Sequence, residues 1–177
     1  CMNIRVESVE MNFPLPIPRM RLWTGSGGAA RFRGGLGLEK VFEATTTDVT
    51  VSHRGERFAS SPWPLEGGAP GARAHAFILR SNGIREELPS KNILVLHPGA
   101  QLWEYIAGGA GYGDPMERDP AAVLADLRDG KIANAAEYRV VLTADGAGVD
   151  EVKTKELREA GAVQRTPGDG WTSQGVL

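Results

Sequence analysis

Two arginines, Arg31 and Arg33, stand inside residues 25–37 (GSGGAARFRGGLG), a stretch in which six of thirteen residues are glycine. A guanidinium presents a planar fork of donors that fits a carboxylate or a phosphate. Glycine takes positive φ without penalty and lets another surface close on the backbone. A second cluster, GGAGYGD, contains Gly108, Gly109 and Gly111 and ends at Asp114. The fold is expected to bring the two clusters to one side. Arg31 and Arg33 are expected to diverge, one serving the loop and the other a partner. The common nucleotide cradles are excluded: no Gly-Lys-Ser/Thr follows either cluster, and neither completes a strand–GxGxxG–helix unit with its acidic residue. The competing explanation is that both clusters are only turns.

Other residue types offer less. Ser26 has no visible His/Asp relay, so its hydroxyl is expected to satisfy loop backbone rather than act as a nucleophile. Asp114 precedes a proline and reads as a turn or cap residue. Three histidines, His53, His75 and His97, equal the count of a metal site, but no pair has the close helical spacing of a zinc motif, and no metal is assigned to this chain. His53 sits at a strand end beside Arg54, where a polar contact is expected. The candidates for substrate contact or an interface are thus Ser26, Arg31, Arg33, His53, Gly108, Gly109, Gly111 and Asp114; no catalytic residue is assigned.

The elements that position these residues follow from pattern and punctuation. Twenty-three glycines and eleven prolines in 177 residues favour short strands and many turns. Strands are expected over residues 3–11, 20–23, 36–44, 48–53, 74–80, 84–88, 92–96 (buried), 101–106 and 138–142, with a type I′ hairpin turn at Ser81-Asn82-Gly83. Residues 60–71 form a long loop anchored by Trp63 and Leu65. Asp119-Pro120 opens a helix to Arg128, a second short helix covers 132–137, and a polar helix over 150–160 turns Val152 and Leu157 inward. The fold class is therefore α+β and mostly β: antiparallel strands with glycine-rich loops over residues 1–113, and a small helical C-terminal extension over 114–177 ending in a mobile tail.

Composition bounds the partners. The formal net charge is -2, with no basic run and no aromatic stacking platform, so nucleic acid is not expected. No apolar run approaches the ~18 residues of a membrane-spanning helix, no signal peptide is apparent, and one cysteine, Cys1, suits a reducing cytoplasm. Cys1 in place of an initiator methionine reads as a fragment or a processed product.

Taken together, SGGAARFRGGLG, GGAPGA (67–72), LPSK (88–91) and GGAGYGDPMERDPAAVLADLRDG (108–130) occur in the order found in the hydantoinase B/oxoprolinase family, which this chain resembles over about residues 3–142. It departs from the family pattern at Gly25 and His53, where aspartate is usual, at Ala30, where glycine is usual, at Gly99-Ala100, where Gly-Asp is usual, and at Ile106-Ala107, where Thr-Pro is usual. The resemblance implies ATP-dependent opening of cyclic amides such as hydantoins or 5-oxoproline, or the related carboxylation of acetone or acetophenone. It further implies a hetero-oligomer with a hydantoinase A-type kinase-like subunit and with a chain carrying the N-terminal part of the hydantoinase B-type subunit. ATP, Mg and a divalent metal such as Zn or Mn are expected on those partners and none on this chain. A structural assembly module without active-site residues is the competing expectation.

Overall fold

The computed structural model describes residues 4–162. The expectations for Cys1 and for a tail beyond residue 162 lie outside the described residues. Among the described residues there are seven strands: β1 (Arg19–Leu22), β2 (Leu38–Glu43), β3 (Val49–Arg54), β4 (His75–Leu79), β5 (Arg85–Glu87), β6 (Lys91–Leu96) and β7 (Gln101–Tyr105). Five of them form an antiparallel sheet in the order β1-β2-β7-β4-β5, and β3 pairs antiparallel with β6 in a second sheet. The mostly-β, antiparallel class expected from the sequence is the one observed.

The two sheets bury a common core. Ala76, Ile78 and Leu102 on one face of the large sheet meet Leu94 and Leu96 of β6, with Phe42, Val49, Val51 and Phe58 packed around them. The opposite face of the large sheet carries an aromatic row: Phe77 stacks on Trp103 at 5.7 Å, and His75 stacks on Tyr105 at 4.3 Å. These are cross-strand partners in the β4–β7 register, so the pleat itself places them together. Glu39 is buried on that face between Arg19 and Arg21 of β1, at 3.0 and 2.7 Å.

The second core joins the C-terminal elements to the glycine loops. Val123, Ile132, Ala135, Tyr138 and Val140 pack with Ala29, and Ala69 lies against the same cluster. Asp114 opens a 3-10 turn (Pro115–Glu117) and accepts from the Met116 amide. Asp119 caps α2 (Pro120–Arg128) and accepts from the Ala121 amide. Both Asp-Pro signals work as expected, because each carboxylate satisfies an amide that the first turn leaves unpaired.

Several local expectations are corrected. Residues 3–11 were expected to form a strand, but the chain forms helix α1 (Val6–Asn12), which buries none of its residues. Alternation over so short a stretch does not decide the matter, and no strand offers it a ladder. Only Gly83 of the hairpin turn has positive φ, at +81°, whereas type I′ needs two such residues. The Gly83 amide donates to Arg80 O and the Arg80 amide to Ile84 O, a three-residue loop with the glycine in the left-handed position. β6 is half-buried: Asn92, Leu94 and Leu96 turn inward while Ile93 and Val95 face out. The helix at 132–137 is only a 3-10 turn (Ala136–Tyr138), and the strand at 138–142 is reduced to a single bridge, Leu142 with Val149. α3 (Glu151–Ala162) is present, but Val152 and Leu157 are 68% and 43% exposed. Polar groups dock it instead. Thr154 is buried and its hydroxyl accepts from the Val141 amide at 2.9 Å, while the Arg158 guanidinium donates to Tyr138 O and Arg118 O.

The outer face of the sheet predicts an acid-sensitive stability. Burial raises the Glu39 carboxyl, but the hydrogen bonds and charges of Arg21 and Arg19 outweigh it and hold the group below the ordinary carboxylate range. Burial holds His75 below the ordinary imidazole range. Both folded values lie below the unfolded ones, so each contribution is complete above the unfolded value, about 6.5 for histidine and about 4.3 for glutamate, and is lost as the pH falls. Thermal unfolding between pH 8 and pH 3 is expected to show a first decline below about 6.5 and a further one below about 4.3. His75→Gln removes the first decline and leaves the second.

Candidate functional site

Four backbone segments close on one another at the junction of the two cores: residues 25–29, 34–37, 68–72 and 107–113. Their hydrogen bonds run from segment to segment. The Gly28 amide donates to Gly109 O, the Ala69 amide to Ala29 O, and the Gly111 amide to Ala69 O. The Ala72 amide donates to Ser26 O, Gly108 to Ala72 O, Gly34 to Gly28 O, and Gly109 to Gly35 O. The backbones are so close that a Cβ would overlap a carbonyl at Gly27, Gly28, Gly34, Gly37 and Gly108, and Gly68 and Gly71 face carbonyls almost as closely. A Cβ at Gly111 would overlap the Ala30 side chain. Like the axis of a collagen triple helix, the centre admits glycine because nothing larger fits.

Four of the expected residues, Ser26, Gly108, Gly109 and Gly111, therefore meet in one body. The Ser26 hydroxyl is buried; it donates to Trp23 O at 2.6 Å and accepts from the Gly37 amide at 2.8 Å. The segment around Gly68 and Gly71 is a third partner in the knot. The sequence marked it as a long loop and as one block of the family resemblance, GGAPGA, but not as a candidate contact residue.

The two arginines part company. Strict strand alternation places residues two apart on the same face, but here the chain makes only a single bridge, Phe32 with Tyr112. Arg33 turns inward. Its Nε donates to Asp126 Oδ2 at 3.0 Å and an Nη to Gly34 O at 2.7 Å. Asp126 is buried and also takes a bond from Arg118 at 2.7 Å, with Lys131 Nζ at 3.9 Å. Beside them the Tyr138 hydroxyl and Arg118 Nε are buried without a partner, and burial pushes the Tyr138 phenol up. Asp126 shares the inward helical face of Val123 and Leu127, a position the i, i+3, i+4 spacing of α2 makes readable. Arg31 turns outward. Its guanidinium lies 5.3 Å from the centre of the Phe32 ring and 3.5 Å from Glu117, and it is more than half exposed. Asp114 caps its 3-10 turn next to this group.

His53 stands with other partners. It is buried on β3, its Nδ1 lies 3.0 Å from Glu104 Oε1, its ring meets the edge of Phe58, and its Nε2 has no bond. His97 pairs with Asp48 and His75 stacks on Tyr105. Among the described residues no three His, Cys, Asp or Glu side chains gather as metal ligands would, and no helix is long and apolar enough to cross a membrane.

The arrangement is a stiff body in which many of the inter-segment amides, the Ser26 hydroxyl and the Arg33 guanidinium are paired within it. What it offers outward is a face of Phe32, Tyr112 and Leu65 with Arg31 at its edge.

Comparison with known proteins matches this architecture. An uncharacterized protein of Methanocaldococcus jannaschii is 33% identical over 89% of this chain. The caprolactamase beta subunit of Pseudomonas jessenii is 33% identical over 88%. The nucleotide-free structure of an acetone carboxylase superposes with a TM-score of 0.76 at 25% identity over 92% of this chain. The chain spans 27–28% of the length of these proteins. The description "Hydantoinase B/oxoprolinase" matches residues 1–115, which hold β1 to β7 and the glycine segments. The chain belongs to the hydantoinase B/oxoprolinase family.

Proposed function

We propose that this chain serves an ATP-dependent cyclic-amide hydrolase of the hydantoinase or 5-oxoprolinase type, as a wall of a reaction centre whose reactive groups lie on other protein. The assembly is a cytoplasmic hetero-oligomer with a hydantoinase A-type kinase-like subunit and protein carrying the N-terminal part of the hydantoinase B-type subunit. ATP, Mg and a divalent metal such as Zn or Mn are held by those partners. One observation carries the reading: the glycine segments, including the Ser26 hydroxyl, spend their polar groups on each other, while a rigid apolar face remains outside.

The chemistry gives such a wall a purpose. Transfer of the ATP γ-phosphoryl group to the amide oxygen makes the carbon electrophilic. Water then adds at that carbon and the C–N bond breaks as the nitrogen takes a proton, leaving an acyl phosphate, which a second water cleaves to the carboxylate and phosphate. Premature loss of the activated species to bulk water wastes ATP, so the centre must control water entry. A body packed backbone against backbone has few side chains that can swing aside. Identity with the lactam-opening relative, 33%, favours hydrolysis. The likeness to acetone carboxylase favours a second reading, in which the activated species is carboxylated.

Alone with MgATP, the chain is expected to leave ε-caprolactam, hydantoin and 5-oxoproline unchanged, and with its partner subunits to open one of them with release of phosphate. Bicarbonate-dependent consumption of acetone or acetophenone by the assembly selects the carboxylase reading instead. Opening of any of these amides by the isolated chain overturns the proposal.

The arginines separate a site from a scaffold. Arg33→Ala removes one partner of buried Asp126 and is expected to destabilise the chain by roughly 1–3 kcal/mol. Arg31→Ala leaves stability within about 0.5 kcal/mol. In the assembly, Arg31→Ala with normal stoichiometry and turnover reduced about tenfold or more places that guanidinium at the reaction centre. Loss of assembly assigns it to an interface, and no change in either excludes both roles.

A further inference from the structure

Four of the large apolar side chains that face water stand on the segments that bound the glycine body. Phe32 is 60% exposed, Tyr112 50%, Leu65 59% and Trp63 65%. Three of them form a row fixed by the backbone: Phe32 bridges Tyr112 antiparallel, and Leu65 bridges Tyr112 in parallel. Residues joined across a bridge point to the same side, and the Phe32 and Tyr112 rings lie 6.3 Å apart. Trp63 precedes Leu65 by two residues on the same loop. Two cations rest on these rings, Arg31 over Phe32 at 5.3 Å and Arg57 over Trp63 at 5.2 Å.

We propose that this row, with Arg31 and Arg57 at its rim, is the face on which the N-terminal part of the hydantoinase B-type subunit docks, received as an apolar segment that brings a carboxylate to Arg31. This rests on the subunit reading above and adds the surface. Four observations support it. Exposed clusters of large apolar groups mark contact surfaces, and aromatic residues with arginine are the usual anchors of such contacts. The row is preorganised, because its three bridged residues sit on backbone locked by the glycine contacts, so little ordering entropy remains to be lost on binding. Relatives are several times longer than this chain, which spans 28% of them, so in them this module must be joined to a large remainder. Finally, the charge disfavours a second copy of the chain as occupant. A two-fold contact sets the same patch against itself and brings Arg31 and Arg57 against their own copies, with Glu117 at 3.5 Å from Arg31 offsetting part of that repulsion, whereas a carboxylate-bearing segment complements the arginines.

The test uses the chain co-expressed with the N-terminal part of the hydantoinase B-type subunit and the hydantoinase A-type subunit, isolated through a tag on the last. Phe32→Asp combined with Leu65→Asp is expected to lower the amount of chain retained about tenfold or more, with the melting temperature of the purified variant held near wild type. Arg31→Glu is expected to lower retention in the same direction without touching the apolar row. Ile93→Asp, on the exposed side of β6, retains the chain fully. Hydrogen exchange on the wild-type assembly checks the face without any substitution: residues 31–33, 63–66 and 111–113 are expected to slow relative to the isolated chain. Undiminished retention of the Phe32/Leu65 and Arg31 variants, or unchanged exchange in those segments, overturns the docking face while leaving the subunit reading intact. Failure of the wild-type chain to be retained overturns both. A wild-type homodimer in sedimentation that the Phe32/Leu65 variant abolishes gives the face to a second copy and overturns the proposal.

Discussion

The carbonyl oxygen of Ser26 occupies the space where a side chain on residue 108 would begin. The same exclusion recurs between Gly28 and Ala69, between Gly34 and Gly109, and between Gly37 and Ile106. Everything else in the molecule depends on this contact of main chain with main chain. Residues 37 and 106 directly continue the paired strands β2 and β7, so the large sheet runs into the knot without a hinge. Little apolar area is hidden at such a contact. Its cohesion comes from inter-segment hydrogen bonds, each worth about 0.5–1.5 kcal/mol net, and it persists only while no methyl group enters.

Charge ties the helical part to that knot. Arg33 leaves the glycine stretch and ends on Asp126 of α2, while the Gly25 amide and the Thr24 hydroxyl bond Lys131 O and Gly130 O just beyond the same helix. Arg118 completes the arrangement from the segment between, and Arg158 of α3 holds the carbonyl of Arg118. A buried ion group of this kind contributes little net stability against a well-packed apolar one, but it penalises any other docking of the helices, because an unmatched buried charge is expensive. The consequence is positional: α2 and α3 are fixed relative to the loops that precede them in the chain.

Strand existence was legible where alternation or a short apolar run bounded by turn residues covered a paired segment, as in β3 and β4, and the Asp-Pro helix entries were legible because their chemistry is local. The misses have one physical source. In residues 6–12 the alternation begun by Ile4 and Val6 breaks, Val6 and Val9 standing three apart, and with no ladder among the described residues the segment is helical. Val152 and Leu157 suggest an inward stripe, yet Thr154 and Arg158 meet backbone acceptors and rotate α3 about its axis. Of the candidate site, the glycine clusters were visible in residue type, whereas the divergence of the arginines runs against the period-2 alternation of a strand and is set by tertiary partners. The meeting of the clusters with residues 68–72, and the capture of Arg33 by Asp126, depend on tertiary approach that no local pattern encodes.

Glycine-rich loops that hold phosphates do so with amides turned outward to the ligand. Here the amides of Gly28, Gly34, Gly108, Gly109 and Gly111 all donate to carbonyls of neighbouring segments. At these five glycines the composition does other work: it removes the side chains that would keep backbones apart. A body made in this way supplies shape and stiffness. On its rim Arg31 and the aromatic row beside it face outward.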